Sequence, residues 1–309
     1  MNIACTIDNN YIRHCAVMLR TLRDENPDVA INITIVHDAL DPAERARLAA
    51  YLGTFLPSIS FIQINPELLE GFPVFGHVSV ATYFRLLLPA ILPWGMRKVI
   101  FMDCDMMVTD DLGPLWDTAL EGRPLAAVTD RSQEENCRRV GLCEGSRYFN
   151  AGVLLIDLEQ WRRRDVLGRG LAFASANPHR IEYWDQDVLN HLFEGQWCAI
   201  DPRWNALPHI WGLNPQIGDD LSALDEKERV ARERPAVIHF AGAGKTKPWN
   251  HHCRHPWKER FLEVQRRTPW ASVPPEDQPP PALVRVSRDA LFRAKCMAKN
   301  VLRGKPRPS

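Results

Sequence analysis

Two carboxylates directly follow an apolar run. Residues 99–102 (VIFM) lead into Asp103-Cys104-Asp105, which predicts a buried strand with both acids at its carboxyl end. Ligands of open α/β sheets bind at that end of the strands. Acids spaced in this way can both turn toward one divalent cation, and oxygen ligands suit Mn²⁺ or Mg²⁺. A phosphatase nucleophile of the haloacid-dehalogenase type and a solvated acidic turn are the alternatives.

Two further polar segments could complete such a site. Residues 6–11 (TIDNNY) follow the first predicted strand and could hold a base and ribose, with Tyr11 stacking on the base. In residues 148–156 (YFNAGVLLI), small residues permit close approach of a ligand, and Asn150 offers an amide to sugar hydroxyls. An ordinary loop before a helix and a structural glycine entering a strand are the respective alternatives.

A third segment lies late in the chain. His239 stands near the end of a predicted strand, and residues 240–249 (FAGAGKTKPW) follow it. The imidazole could complete a metal site, and Lys247 could reach a diphosphate as a cation. A lone histidine is more often a core residue, but the glycines, lysine and Pro-Trp pair here favour a phosphate-binding loop.

Two other motifs admit plainer interpretations. Residues 184–187 (WDQD) are typical of a helix start, with acids at the positive end of the helix dipole. His251, His252, Cys253 and His255 fit no tetrahedral zinc spacing, and we expect a polar surface loop there.

The surrounding pattern predicts the elements that position these residues. Predicted strands and helices alternate, which indicates an α/β fold with a mostly parallel sheet and helices on both faces. The predicted strands are 2–7, 31–36, 59–64, 98–102, 124–129, 152–158 and 236–240, and the predicted helices are 11–23, 43–52, 79–92, 185–193 and one within 157–174. Six prolines in residues 268–281 predict a stiff linker.

Composition restricts the class of protein. The chain has 309 residues, and its 38 basic and 38 acidic side chains balance. Residues 282–309 hold eight basic residues and one acid, so residues 1–281 carry a net negative charge. This charge argues against a general nucleic-acid partner. The eight cysteines are scattered, and we expect reduced cytosolic thiols. No uncharged run reaches the roughly 20 residues of a membrane span.

The basic tail has helical periodicity. One face of a helix would carry its apolar residues, which are Leu283, Val286, Ala290, Ala294, Met297 and Val301. This is an interfacial amphipathic pattern. Basic residues near an anionic leaflet contribute about 1 kcal/mol each. The tail is therefore predicted to bind an anionic membrane, with a solvated, disordered tail as the alternative.

Taken together, the D-x-D strand, F-N-A-G-V, W-D-Q-D and H-F-x-G…K-P-W resemble glycosyltransferase family 8, the retaining enzymes of A-type fold. The resemblance is strongest to bacterial lipopolysaccharide galactosyltransferases. It implies a single Rossmann-like nucleotide-sugar-binding domain over residues 1–268, followed by the linker 269–281 and the tail 282–309.

The resemblance also implies residue roles. Asp103, Asp105 and His239 would bind Mn²⁺, with Mg²⁺ possible. Gln186 would lie beside the anomeric carbon, with Asp185 and Lys247 as its catalytic neighbours. The donor would be held by Thr6, Asp8, Asn10, Tyr11, Arg85, Cys104, Asp130, Asn150, Ala151, Gly152, Asp185, Gln186, Gly242 and Lys247. The loop before Lys247 is about two residues longer than in the family pattern, so Lys245 is an alternative contact to the diphosphate.

The implied reaction moves a hexose, with galactose expected, from its UDP donor to a sugar hydroxyl of a lipopolysaccharide or lipooligosaccharide. UDP-glucose or a UDP-N-acetylhexosamine is the alternative donor. The implied location is the cytoplasm, at the inner face of the membrane.

Overall fold

The computed structural model describes residues 1–73, 80–131, 133–213, 220–242 and 244–277. In the first half, strands and helices alternate as β1 Asn2–Thr6, α1 Ile12–Glu25, β2 Asn32–His37, α2 Pro42–Leu52, β3 Ser58–Gln63, α3 Leu88–Ile91, β4 Lys98–Met102, β5 Met106–Val108 and α4 Gly113–Trp116. The second half comprises β6 Leu125–Thr129, α5 Gln133–Val140, β7 Phe149–Asp157, α6 Leu158–Arg163, α7 Val166–Ala176, α8 Trp184–Leu192, β8 Trp197–Ala199, α9 Glu226–Glu233, β9 Val237–His239 and α10 Lys258–Gln265.

Short 3₁₀ helices connect several of these elements. They are Pro66–Leu69, Val80–Leu87, Pro178–Arg180, Pro202–Asn205, Pro208–Trp211 and Leu221–Ala223. Among the residues that the structure describes, no helix has both the length and the apolar character to cross a bilayer.

The main sheet is mostly parallel, as the sequence predicts. Over the described ranges its strand order is β3-β2-β1-β4-β7-β6-β8, and only β7 runs antiparallel to its neighbours. Successive β4 residues enter two cores on opposite faces: Val99 and Phe101 one, Ile100 and Met102 the other. Both faces are buried, which explains why β4 is apolar without alternation.

A second, two-stranded sheet joins the two halves of the predicted metal site. Strands β5 and β9 pair antiparallel, with Met106 opposite His239. The amide of Phe240 also donates to the carbonyl of Asp105, at 2.9 Å. This pairing fixes the late histidine next to the acidic loop after β4.

Two predicted helices are wrong in detail. Of the predicted helix 79–92, residue 79 lies outside the described ranges, and the rest is a 3₁₀ helix followed by the short α3. Pro89 has no N–H to continue the α-helical ladder to the Arg85 carbonyl. The predicted helix within 157–174 is two helices, because Asp165 adopts a left-handed conformation with φ of 46° and caps α7 through the amide of Gly168.

Strand β7 begins earlier than the predicted 152–158. Asn150, Ala151 and Gly152 lie inside it, and the pairing with β6 shifts register between Ala127 and Val128. Irregularities of this kind re-aim side chains and are common beside active sites.

The described part of the predicted linker packs on the domain. Trp270 is buried, and its indole N–H donates to Glu44 at 2.7 Å. Further along, the amide of Glu276 donates to the carbonyl of Trp249 at 2.8 Å. Residues 278–309, which include the predicted tail, lie outside the described ranges, so the 282–309 boundary and its helix remain predictions.

Candidate active site

An open cleft of about 200 Å³ lies at the carboxyl ends of β1 and β4, the end of the sheet where α/β proteins bind ligands. Its lining includes many of the residues singled out from the sequence. The lining residues are Thr6, Ile7, Asp8, Asn10, Tyr11, Ala81, Thr82, Arg85, Asp103, Cys104 and Asp105.

The three predicted metal ligands meet at this cleft. One ligand atom each from Asp103, Asp105 and His239 lies within 4.8 Å of the others. His239 Nε2 is 3.4 Å from an oxygen of Asp105 and 3.9 Å from an oxygen of Asp103. Two carboxylates and an imidazole suit Mn²⁺ or a similar divalent cation, so these residues fit the predicted metal.

A chain of hydrogen bonds orients the His239 ring. The amide of Gly152 donates to Asn150 Oδ1 at 3.0 Å, and Asn205 Nδ2 donates to the same oxygen at 2.8 Å. The Asn205 oxygen therefore faces His239 Nδ1, 2.9 Å away. Because an amide oxygen can only accept, Nδ1 donates to Asn205, and Nε2 is left facing the two acids. Such outer partners set the tautomer and orientation of metal-binding histidines.

Gly152 is required by this approach of the histidine. A Cβ at this position would lie 2.4 Å from His239 Cε1 and 2.6 Å from Nδ1. The sequence suggested close approach of a ligand at this glycine, but the close neighbour in the structure is His239.

Two cations hold the acids from either side. Arg85 donates to Asp103 at 2.7 Å and to the carbonyl of Ala151 at 2.6 Å, and its guanidinium lies 4.2 Å from the centre of the Phe101 ring. Lys247 forms an ion pair with Asp105. In contrast, Lys245 is exposed.

Burial and these cations set the charge of the two acids. Burial raises the pKa of the Asp103 carboxyl, against the opposing pull of the Arg85 guanidinium. Burial also disfavours the charged form of Asp105, but the Lys247 ammonium and His239 outweigh it and hold the pKa of Asp105 well below its usual range.

Helix α8 carries Asp185 and Gln186 to the other side of Arg85. Asp185 forms an ion pair with Arg85 Nε at 2.8 Å and accepts a hydrogen bond from the Thr82 hydroxyl, and burial raises its pKa to about 6 even though Arg85 opposes the shift. Gln186 Oε1 accepts from the amide of Ala151 at 2.9 Å. Asp185 is therefore held by the segment that carries Thr82 and Arg85, and Gln186 is held by the irregular part of β7.

Asp187 anchors the segment that leads into this helix. It is fully buried and accepts from the amides of Glu182 and Tyr183 at 2.7 and 2.6 Å. Its two oxygens also pair with Arg139 at 2.7 and 2.9 Å. This network fixes the start of α8.

Of the remaining predicted donor residues, Asp8 lines the cleft, whereas Asp130 and Gly242 are not among its lining residues. Asp8 Oδ1 accepts from the amides of Asn10 and Tyr11 at 2.9 and 3.2 Å, which shapes the loop after β1. Asp130 accepts from Asn150 Nδ2 at 3.3 Å. Gly242, with φ of 89°, occupies a left-handed turn after β9 that favours glycine.

Some site residues gave no signal in the sequence. Asn205 lies in a short 3₁₀ helix and Thr82 in another, and neither follows a recognisable motif. The expected surface loop is wrong at one residue: His251 and His252 are exposed, but His255 is buried edge-on against Phe240, and burial lowers its pKa to about 3.

Comparison with known proteins identifies the class. The fold of this chain, with paired acids and a histidine at the ligand-binding edge of its sheet, is that of a glycosyltransferase of A-type fold. The model of "Glycosyl transferase family 8" matches residues 2–253, and the chain belongs to this family. The protein is therefore a glycosyltransferase, which excludes the phosphatase alternative.

Particular relatives narrow the comparison. The chain is similar to galactosyltransferase LgtC, solved with donor and acceptor sugar analogs, at 33% identity and a TM-score of 0.76, covering 90% of this chain and 98% of that one. It is 26% identical to the lipopolysaccharide 1,3-galactosyltransferase of Salmonella typhimurium over 87% of this chain and 79% of that protein. It is also 28% identical to general stress protein A of Bacillus subtilis, over 88% and 96% of the respective chains.

Proposed function

We propose that this chain transfers a hexose, with galactose as the preferred sugar, from a UDP donor to a sugar hydroxyl of a lipopolysaccharide or lipooligosaccharide. The observation that carries this proposal is the cluster of Asp103, Asp105 and His239 beside Lys247, at the edge of a cleft that the polar loop after β1 also lines. Such a cluster suits a diphosphate leaving group, and the polar loop suits a nucleoside.

Asp103, Asp105 and His239 would hold the metal, Mn²⁺ in our proposal. When bound, a divalent cation neutralises charge on a departing diphosphate. Lys247 adds a second positive charge at the same point, because its ammonium already pairs with Asp105. Preorganised charge of this kind is commonly the largest catalytic contribution.

For retention at the anomeric carbon we favour a same-face mechanism, in which the leaving phosphate helps to deprotonate the acceptor. Asp185 is a poor nucleophile here because its charge is paired with the Arg85 guanidinium and one of its oxygens accepts from Thr82. Gln186 is another poor nucleophile because its amide oxygen is weakly basic and already accepts from Ala151. Isolation of a covalent glycosyl-enzyme at Asp185 or Gln186 would overturn this mechanism.

The relatives whose names give a donor sugar are of two kinds. Galactosyltransferases are among them, but so is the lipopolysaccharide 1,2-glucosyltransferase of Escherichia coli, at 25% identity over 90% of this chain and 81% of that protein. Galactose and glucose differ at one hydroxyl, so UDP-glucose is the first alternative donor. UDP-N-acetylglucosamine represents the N-acetylhexosamine donors.

The decisive experiment is a donor screen that measures UDP release from these three sugar nucleotides, with Mn²⁺ and with EDTA. We expect the highest rate with UDP-galactose and loss of turnover in EDTA. Asp105→Asn should abolish the Mn²⁺-dependent rate while the protein stays folded. Turnover that is unaffected by EDTA would refute the metal assignment, and a higher rate with another donor would refute galactose.

The proposed location follows from the acceptor. A glycolipid acceptor would be met at the cytoplasmic face of the inner membrane, and the basic residues of 282–309 would hold the enzyme at that anionic surface.

A further inference from the structure

Three cysteines from separate elements meet in the core behind the cleft. Cys5 lies in β1, Cys15 in α1 and Cys104 in the loop between β4 and β5. Their Sγ atoms all lie within 4.8 Å of one another, and those of Cys5 and Cys15 are 4.0 Å apart. Cys5 and Cys15 are fully buried and Cys104 is 3% exposed, and all three are free thiols.

Packing does not require this convergence. A single free cysteine is commonly buried as a small apolar residue. Here, however, three sulfur atoms from a strand, a helix and the loop after β4 lie within 4.8 Å of one another. Three thiols placed in this way are a suitable ligand set for a soft cation, because thiolates prefer Cu⁺ or Zn²⁺ whereas carboxylates prefer harder ions.

The number of thiols and the Cys5–Cys15 separation suit a three-coordinate ion. With metal–sulfur bonds of about 2.3 Å, a trigonal planar site places its sulfur atoms about 4.0 Å apart, which is the observed Cys5–Cys15 separation. Structural zinc sites almost always have four ligands. Within the described ranges, the cluster has no fourth ligand from a histidine, cysteine or acidic side chain. We propose that Cys5, Cys15 and Cys104 form a binding site for a soft monovalent cation of the Cu⁺ class.

The cluster can be reached from the cleft through Cys104. Cys104 lines the cleft, so an ion can reach the sulfur atoms from there. Its thiol donates to the carbonyl of Thr6 at 3.5 Å, and this bond is lost when Cu⁺ replaces the proton. Each displaced thiol proton passes to solvent, so the affinity for Cu⁺ rises with pH.

Occupation of this site should disturb catalysis, a consequence that rests on the proposed function. Cys104 stands between Asp103 and Asp105, and drawing its sulfur toward a common ion moves the loop that carries both acids. A displacement of about 1 Å in an active site can cost about a hundredfold in rate. We therefore expect Cu⁺ to lower hexose transfer by about tenfold or more.

The test is anaerobic titration of the full chain with substoichiometric Cu⁺ against a competing chromophoric chelator, followed by X-ray absorption. We expect one Cu⁺ per chain with three sulfur neighbours. Cys15→Ala, a change in α1 away from the cleft lining, should lower Cu⁺ affinity by at least about tenfold. Cys143→Ala, at an exposed free thiol, is the matched control and should bind as the wild type does. Wild-type affinity in Cys15→Ala, or oxygen and nitrogen neighbours around the ion, would overturn the proposal.

The same samples separate the two proposals. Three-sulfur binding in a chain that transfers no hexose without Cu⁺ would refute the proposed function and leave the site standing. Hexose transfer with no Cu⁺ bound at the cluster would refute the site alone. Inhibition by Cu⁺ that persists unchanged in Cys15→Ala would refute the coupling between them.

Discussion

Replacing Gly152 with alanine should remove His239 from the metal site. The added Cβ would lie 2.4 Å from His239 Cε1, and ordinary contact begins at 3.4 Å, so the ring must retreat by about 1 Å. The β9 backbone cannot follow, because His239 is paired with Met106 and its amide donates to Ala206. The ring must therefore swing away from Asn205 and from the two acids.

The magnitude follows from the tolerance of metal coordination. Ligand distances hold within about 0.2 Å, so a ring displaced by about 1 Å no longer coordinates. Changes in the outer partners of a metal histidine alone cost about 10–100-fold in affinity. We therefore expect Gly152→Ala to weaken Mn²⁺ binding by about a hundredfold, with about 1–3 kcal/mol of overpacking cost to stability.

The assay is Mn²⁺ binding by electron paramagnetic resonance, with circular dichroism and thermal unfolding of the same samples. Gly95→Ala is the matched control, because a Cβ there meets nothing within 4 Å and the φ angle is not left-handed. It should bind Mn²⁺ as the wild type does. Wild-type Mn²⁺ affinity in folded Gly152→Ala would show that His239 is not held at the metal by this contact.

Three further predictions concern the cations, the pH dependence and the tail. Lys247→Ala should lower kcat for UDP-sugar turnover by about 10²–10³, whereas exposed Lys245→Ala should stay near wild type; equal losses would refute the assignment of Lys247. Because burial raises the pKa of Asp185 to about 6, above the value near 3.9 of an unfolded aspartate, the native state binds this proton more tightly, and the contribution of Asp185 to stability falls as pH rises from 4 to 7. Urea unfolding in EDTA should show Asp185→Asn gaining roughly 2–3 kcal/mol relative to wild type over that range, and parallel pH profiles would contradict this. Removal of residues 282–309 should abolish flotation with anionic vesicles and leave UDP release from the donor unchanged; equal flotation of the truncated chain would refute the membrane role.

Local pattern made part of the fold predictable. The apolar run of β4 and the alternation of strands and helices indicate a buried parallel sheet, because both signals depend only on neighbouring residues. The same signals failed at residues 80–92, where a buried 3₁₀ helix precedes Pro89 in place of a regular α-helix. Propensity yields to tertiary packing at such places.

Residue types and local spacing supply the chemistry of this site: two acids after a strand, a late histidine with a lysine loop, and the motif set of the family. How these residues meet depends on the folded chain. The pairing of β5 with β9 brings His239 to Asp105, Asn205 fixes the ring, and Gly152 leaves room for it. The physical reason is that contacts between distant segments depend on strand register and backbone clearance, and these leave no periodic trace along the chain.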